Sequence, residues 1–149
     1  MSTSELDIEV QTQTIDDVVR RARNCELQLP DFQRDFVWKK ERGRELVRSI
    51  LLGLPIGSLI VLKKGKLSTV LNPLPVKGVA SPNMVNGVPI AQIIPDLLLD
   101  GQQRVTTLCG VFSIHGVEFA SGKKAAPVTT HMFIDIEKLH EAEASPLTG

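Results

Sequence analysis

Apolar residues return along this chain at changing intervals, and each change of interval marks an element. Ile15, Val18, Val19 and Ala22 share one stripe of a short helix, which Thr14 and Asp17 open and which ends near Asn24. Glu26 to Leu29 reads as a short strand, and Pro30 breaks it. The stretch Pro30-Asp31-Phe32-Gln33-Arg34-Asp35-Phe36 is then an irregular connection that mixes aromatic and charged residues. Helical spacing resumes from Trp38 to about Leu52. Leu46, Val47, Ile50 and Leu51 form its apolar face, and Lys39, Lys40, Arg44 and Arg48 its wetter one. Gly53 and Pro55 end that helix, and the turn Pro55-Ile56-Gly57 feeds a strand from Ser58 to Leu62 that is expected to be buried.

Lys63 to Lys66 returns the chain to solvent. Five prolines and two glycines between Leu67 and Pro95 rule out a long element there, and residues 66–95 read as an elaborated loop. Asn86-Gly87, flanked by Val85 and Val88, predicts a small hairpin within it. Leu97 to Leu99 is the next strand, Gln102 to about Phe112 the next helix, and His131 to Ile136 a later strand. Glu137 to Gly149 begins as a helix that Pro146 cuts. Strands and helices intermingle, so the expected class is α+β.

At 149 residues the chain suits a single domain, 1–149, with a core that needs no metal or disulfide. Cys25 and Cys109 lie far apart without Cys-x-x-Cys spacing, and the apolar neighbours of Cys109 make it a small buried hydrophobe. A reduced, cytoplasmic protein is expected. Met1 to Val10 is polar and acidic, unlike a secretory signal. The apolar region Ile50 to Leu62 is broken by Gly53, Pro55 and Gly57 and falls short of the roughly 20 residues a membrane helix needs, so no membrane partner is expected. The last element starts and stops abruptly, which fits either a fragment, the N-terminal part, of a longer protein or a natural frayed terminus.

Formal net charge is zero, which removes a global electrostatic argument for nucleic acid. The charge is nevertheless uneven: twelve of the seventeen basic residues fall between Arg20 and Lys66, beside five acidic ones. That half either offers a basic face to DNA or carries an ordinary solvated helix surface.

The densest polar chemistry follows a buried strand. In Asp100-Gly101-Gln102-Gln103-Arg104 a glycine allows a sharp turn, and the amides after it form a helix N-terminus that favours an anion, phosphate above all. Arg104 stands about one helical turn past Gly101, where its planar fork can reach back to phosphate oxygens. Gln102 and Gln103 could orient water, and Asp100 could hold a hydrated Mg²⁺ ion. The plainer alternative is an Asp N-cap followed by exposed glutamines and a surface arginine. A second constellation, Phe32-Gln33-Arg34 with Trp38, sets an arginine and a carboxamide beside aromatic rings that either stack on a base or anchor the core. His115, His131 and His140 lack paired metal-ligand spacing, and Ser58 and Ser113 lack a nucleophile-elbow context.

Three segments together carry a resemblance: Leu29-Pro30-Asp31-Phe32-Gln33-Arg34-Asp35-Phe36-Val37-Trp38, Leu54-Pro55-Ile56-Gly57-Ser58, and Leu99-Asp100-Gly101-Gln102-Gln103-Arg104-Val105-Thr106-Thr107-Leu108. In this order and spacing the chain closely resembles the N-terminal, GmrS-like domain of GmrSD-type modification-dependent restriction enzymes, from about Ile15 to Phe112, with 66–95 as a variable insertion. The resemblance implies a ParB/sulfiredoxin-like fold, a small mixed sheet with packed helices, in which a strand-turn-helix binds nucleoside triphosphate. It implies catalytic roles for Asp100, Gln102, Gln103 and Arg104, and nucleotide binding by Gln33, Arg34, Gly101, Thr106 and Thr107. Asp100 would be the ligand for Mg²⁺. Phe32, Trp38, Lys39 and Lys40 would contact DNA or a base. Phe32 replaces the tyrosine more usual in the family, and glutamines stand where sulfiredoxins carry a reactive cysteine, which argues against redox catalysis. No His-Asn-His nuclease motif is present. The expected function is therefore nucleoside triphosphate binding and hydrolysis that regulates DNA cleavage by a nuclease domain or subunit outside this chain, in a phage-defence system. The domain could also form a homo-oligomer. The alternative is a non-enzymatic reader of modified DNA.

Overall fold

The computed structural model describes residues 8–33, 35–63, 65, 70–77, 84–85, 87–89, 92–113, 116–119, 128–133 and 135–138. Helix α1, Ile15–Arg23, starts where expected because Thr14 and Asp17 cap each other. The Thr14 hydroxyl oxygen accepts from the Asp17 amide at 3.1 Å and donates to the Asp17 carboxylate at 2.8 Å. Val18, Val19 and Ala22 are buried on its inner face. Strand β1, Leu27–Gln28, follows, and helix α2, Lys40–Leu51, lies two residues inside its expected start. Beyond it come strand β2, Ile60–Leu62, the pair β3, Met84–Val85, and β4, Val88–Pro89, and the long strand β5, Asp96–Asp100. Helix α3, Gln102–Val111, then leads to β6, Val117–Phe119, and β7, Val128–Thr130.

Strand β5 is the centre of a mixed sheet ordered β1-β5-β2. It runs parallel to β1, with Leu27 opposite Asp96 and Gln28 opposite Leu97, and antiparallel to β2, with Val61 opposite Leu98 and Ile60 opposite Asp100. A parallel pair needs a crossover, and the chain supplies α2 between them. Helices packed on a small mixed sheet make an α+β fold. The core joins Val18, Val19 and Ala22 of α1, Leu46 of α2, Leu98 of β5 and Val105, Leu108 and Cys109 of α3.

Two strand boundaries differ from the sequence expectation. The strand expected over Ser58 to Leu62 covers only Ile60–Leu62 and is not buried. Ile60 is 55% exposed, because β2 is the sheet edge and has one side open to solvent. The strand expected over His131 to Ile136 lies earlier, at Val128–Thr130, because its antiparallel partner reaches back only to Val117, opposite Thr130. Past it the Asp135 carboxylate accepts from the Lys138 amide at 3.2 Å, which opens a helical turn over 136–138.

The hairpin around Asn86-Gly87 forms as β3 and β4, with Val85 opposite Val88. The preceding stretch is more than a loop. Leu74 exchanges both backbone hydrogen bonds with Leu29, at 2.7 and 2.8 Å, and Val76 belongs to the buried core. The helix start expected after Glu137 lies partly in 136–138, and its remainder, with Pro146, falls outside the described residues, as do His115 and His140. Among the described residues no helix is long and apolar enough to cross a membrane.

Candidate functional site

Helix α3 is buried nearly all round, with Gln102, Gln103, Val105 and every residue from Thr106 to Gly110 inaccessible. A helix so enclosed is normally apolar throughout. The four buried polar side chains in its first six positions, Gln102, Gln103, Thr106 and Thr107, therefore each need a partner, or mark a place where one is brought.

The turn at the head of α3 is made by Gly101, which takes the N-cap position with φ 97°, in the left-handed region. A Cβ there would collide with Cδ2 of Leu59. Among the described residues no side chain caps the helix, so Asp100 is not its N-cap, and the first-turn amides keep their donors. Asp100 instead accepts from Nη2 of Arg104 at 3.2 Å while remaining largely exposed.

Arg104 is the least exposed charge at the turn, with its side chain 18% accessible. Its Nη1 donates to the Ile56 carbonyl at 2.9 Å, which brings the Pro55-Ile56-Gly57 turn against the head of α3. Two of the five guanidinium N–H groups are engaged in these bonds. In the sequence Ile56 and Gly57 read as a turn feeding a strand and as part of a family segment, with no role beside Arg104. Their partnership with Arg104 spans 48 positions and leaves no local signal.

The first segment joins the same place through two carboxamides. Nε2 of Gln33 donates to the Leu99 carbonyl at 2.9 Å, at the end of β5. Oε1 of Gln103 accepts from the amides of Val37 at 2.9 Å and Trp38 at 3.1 Å, and its Nε2 donates to the Asp35 carbonyl at 3.1 Å. Gln103 is thus occupied with the backbone of 35–38. Its neighbour Gln102, equally buried, makes no side-chain hydrogen bond among the described residues. The two threonines divide in the same way. The Thr107 hydroxyl donates to the Gln103 carbonyl at 2.8 Å, whereas Oγ1 of Thr106 is buried without a partner among the described residues.

The aromatic residues separate as well. Phe32 is 64% exposed beside Gln33, while Trp38 packs against the core. Lys39 and Lys40 are exposed at the start of α2, with Arg44 and Arg48 further along. Arg34 lies outside the described residues. Asp35 is ion-paired with Lys77 at 2.6 Å, and this hydrogen bond with the lysine charge holds its carboxyl below the ordinary range.

A cavity of about 1060 Å³ opens at the other end of β5, around Asp96, Arg20, Arg21, Glu26 and Lys63. Its arginines are already matched: Arg21 meets Asp96 at 2.5 Å, and Arg20 meets Asp17 at 3.3 Å and Glu26 at 3.8 Å. Among the described residues, the buried hydroxyl without a partner, Thr106 Oγ1, belongs to α3 instead. Among the described residues no three His, Cys, Asp or Glu side chains gather as a metal cage.

The three segments that meet at α3 lie within a match over residues 15–145 to the family described as GmrSD restriction endonuclease, N-terminal domain. The chain belongs to that family. Membership is consistent with a role in a restriction or phage-defence system. An uncharacterized protein of Methanocaldococcus jannaschii is 30% identical over 138 residues, which covers 91% of this chain and 22% of the relative. The chain thus spans about one fifth of that relative's length. No solved structure matches the chain.

Proposed function

We propose that this GmrSD N-terminal domain binds a nucleoside triphosphate at the head of α3 and hydrolyses it, so regulating DNA cleavage by a nuclease region outside the chain. The observation that carries this reading is an uncapped, ten-residue helix opening on a left-handed glycine, with a mostly buried arginine beside it. Phosphate oxygens would take the free amides of the first turn, and the unused N–H groups of Arg104 would meet the charge that develops on the transferring phosphoryl group. Gln102, with no hydrogen-bond partner among the described residues, would orient the attacking water. Water oxygen then bonds to the terminal phosphorus as the bridging P–O bond breaks, giving a nucleoside diphosphate, phosphate and a proton. Phe32 offers an exposed ring for the base.

Asp100 is the carboxylate at the turn. One carboxylate fits an Mg²⁺ ion that arrives with the phosphates rather than one the protein holds alone. Such an ion would neutralise phosphate charge, while Arg104 keeps Asp100 in place at 3.2 Å.

Calorimetric titration with ATP, GTP, CTP and UTP, with and without Mg²⁺, tests the reading. Arg104→Ala is expected to abolish binding, with a thermal melt to show that the fold persists. Unchanged affinity in that variant overturns the assignment.

A second reading is favoured by the exposed cations Lys39, Lys40, Arg44 and Arg48, which place positive charge along α2. They would contact the DNA backbone, whether or not nucleotide is bound. Filter binding across a salt series should weaken steeply as salt rises, and no binding at low salt removes this reading.

A further inference from the structure

We infer that the two adjacent glutamines of the turn have separate tasks: Gln103 is a positioning residue that acts through the backbone of 35–38, and Gln102 alone faces ligand. The inference rests on the nucleotide reading for its ligand but not for its geometry. Oε1 of Gln103 accepts from two successive amides, Val37 and Trp38, and Nε2 donates to the Asp35 carbonyl. An amide oxygen has two lone pairs, so its acceptor capacity is filled. Gln103 is 7% exposed, and turning its side chain toward a phosphate would break all three of these bonds at once.

What Gln103 holds is the far end of the segment that begins with Phe32 and Gln33. Gln33 ties the near end to β5 through Leu99. The two carboxamides tie Gln33 and the backbone of 35–38 to the β5–α3 junction, with the exposed ring of Phe32 next to Gln33 in the chain. Gln102 shows the opposite condition. It is 6% exposed and has no hydrogen-bond partner among the described residues, one helical turn before the equally unpartnered hydroxyl of Thr106.

The test exploits the chain's single tryptophan, Trp38, whose own amide Gln103 holds. Trp38 emission and acrylamide quenching are recorded without nucleotide for the wild type, Gln103→Met, Gln103→Glu, Gln102→Met and Gln102→Glu. Each variant is then titrated with Mg²⁺ and the triphosphate that the wild type binds best. Gln103→Met removes all three bonds and should shift the ligand-free emission. Gln103→Glu keeps the oxygen that accepts from both amides but sets its second oxygen against the Asp35 carbonyl, so it should restore the emission in part, and Gln102→Met should leave it unchanged. At position 103 the two amides offset most of that repulsion, whereas a carboxylate facing phosphate is repelled outright. Gln103→Glu should therefore keep affinity within about fivefold, and Gln102→Glu should lose about a hundredfold.

An unshifted emission in Gln103→Met, or a loss in Gln103→Glu as steep as in Gln102→Glu, overturns the inference. A wild type that binds no triphosphate overturns the nucleotide reading instead, and the ligand-free Trp38 spectra then decide the role of Gln103.

Discussion

The guanidinium of Arg104 occupies the space in which a side chain on Gly57 would stand. A Cβ at position 57 would collide with Nη1, the atom that donates to the Ile56 carbonyl at 2.9 Å. Gly57 also sits at φ +85°, in the left-handed region. Gly57→Ala should therefore destabilise the fold by about 2 kcal/mol, combining backbone strain with a displaced hydrogen bond. Urea denaturation measures the loss. Triphosphate affinity should fall in the same variant because Arg104 is moved, and an unaltered urea midpoint would count against the packing described.

Thr106 offers a trade between stability and binding. Its hydroxyl is buried without a partner among the described residues, so Thr106→Val exchanges an unsatisfied polar atom for a methyl group of the same shape. Such a change should raise stability by about 1 kcal/mol. If the hydroxyl serves a ligand, the same variant binds triphosphate more weakly. Chemical denaturation and calorimetry on one preparation read both quantities, and a destabilised variant would contradict the buried, unpartnered hydroxyl.

The ion pair of Arg21 and Asp96, at 2.5 Å with both side chains mostly covered, locks α1 to the start of the central strand. Arg21→Met leaves a covered carboxylate deprived of its cation and should cost about 3 kcal/mol. Adding Asp96→Leu should recover much of that loss, since two apolar groups require no solvation. A double variant no more stable than the single one would show that the carboxylate was not the source of the penalty.

Cys109 makes the fold sensitive to alkali. Burial pushes its thiol from 9.0 up to about 12, against a smaller opposing effect of the Arg23 charge. The folded state therefore keeps a proton that the unfolded chain releases earlier. This contribution is fully present below pH 9 and is lost as pH rises from 9 toward about 12. Urea midpoints measured across that range should fall more steeply in the wild type than in Cys109→Ala. At pH 8 the thiol should resist Ellman's reagent until the protein is unfolded.

Helices α1 and α2, the hairpin turn and the strand-turn-helix at Gly101 were legible in the sequence. Each is written in contiguous residues: an apolar stripe of helical period, a reciprocal Thr14–Asp17 cap, a turn dipeptide, a glycine after an apolar run. The family, too, could be read from three short segments in order. The exposure of β2 and the place of β7 could not, because an edge position and the extent of a partner strand belong to the sheet and not to the strand.

The division of labour at the turn is likewise a tertiary property. Gln102 and Gln103 are chemically identical neighbours, as are Thr106 and Thr107, yet successive helical positions point about 100° apart and so meet different surroundings. Gln103 reaches backbone groups more than 60 positions away and Arg104 reaches Ile56, while Gln102 and Thr106 meet no partner among the described residues. The sequence determined which polar groups gather at the head of α3. Only packing decided which of them hold the protein together and which are left for something else.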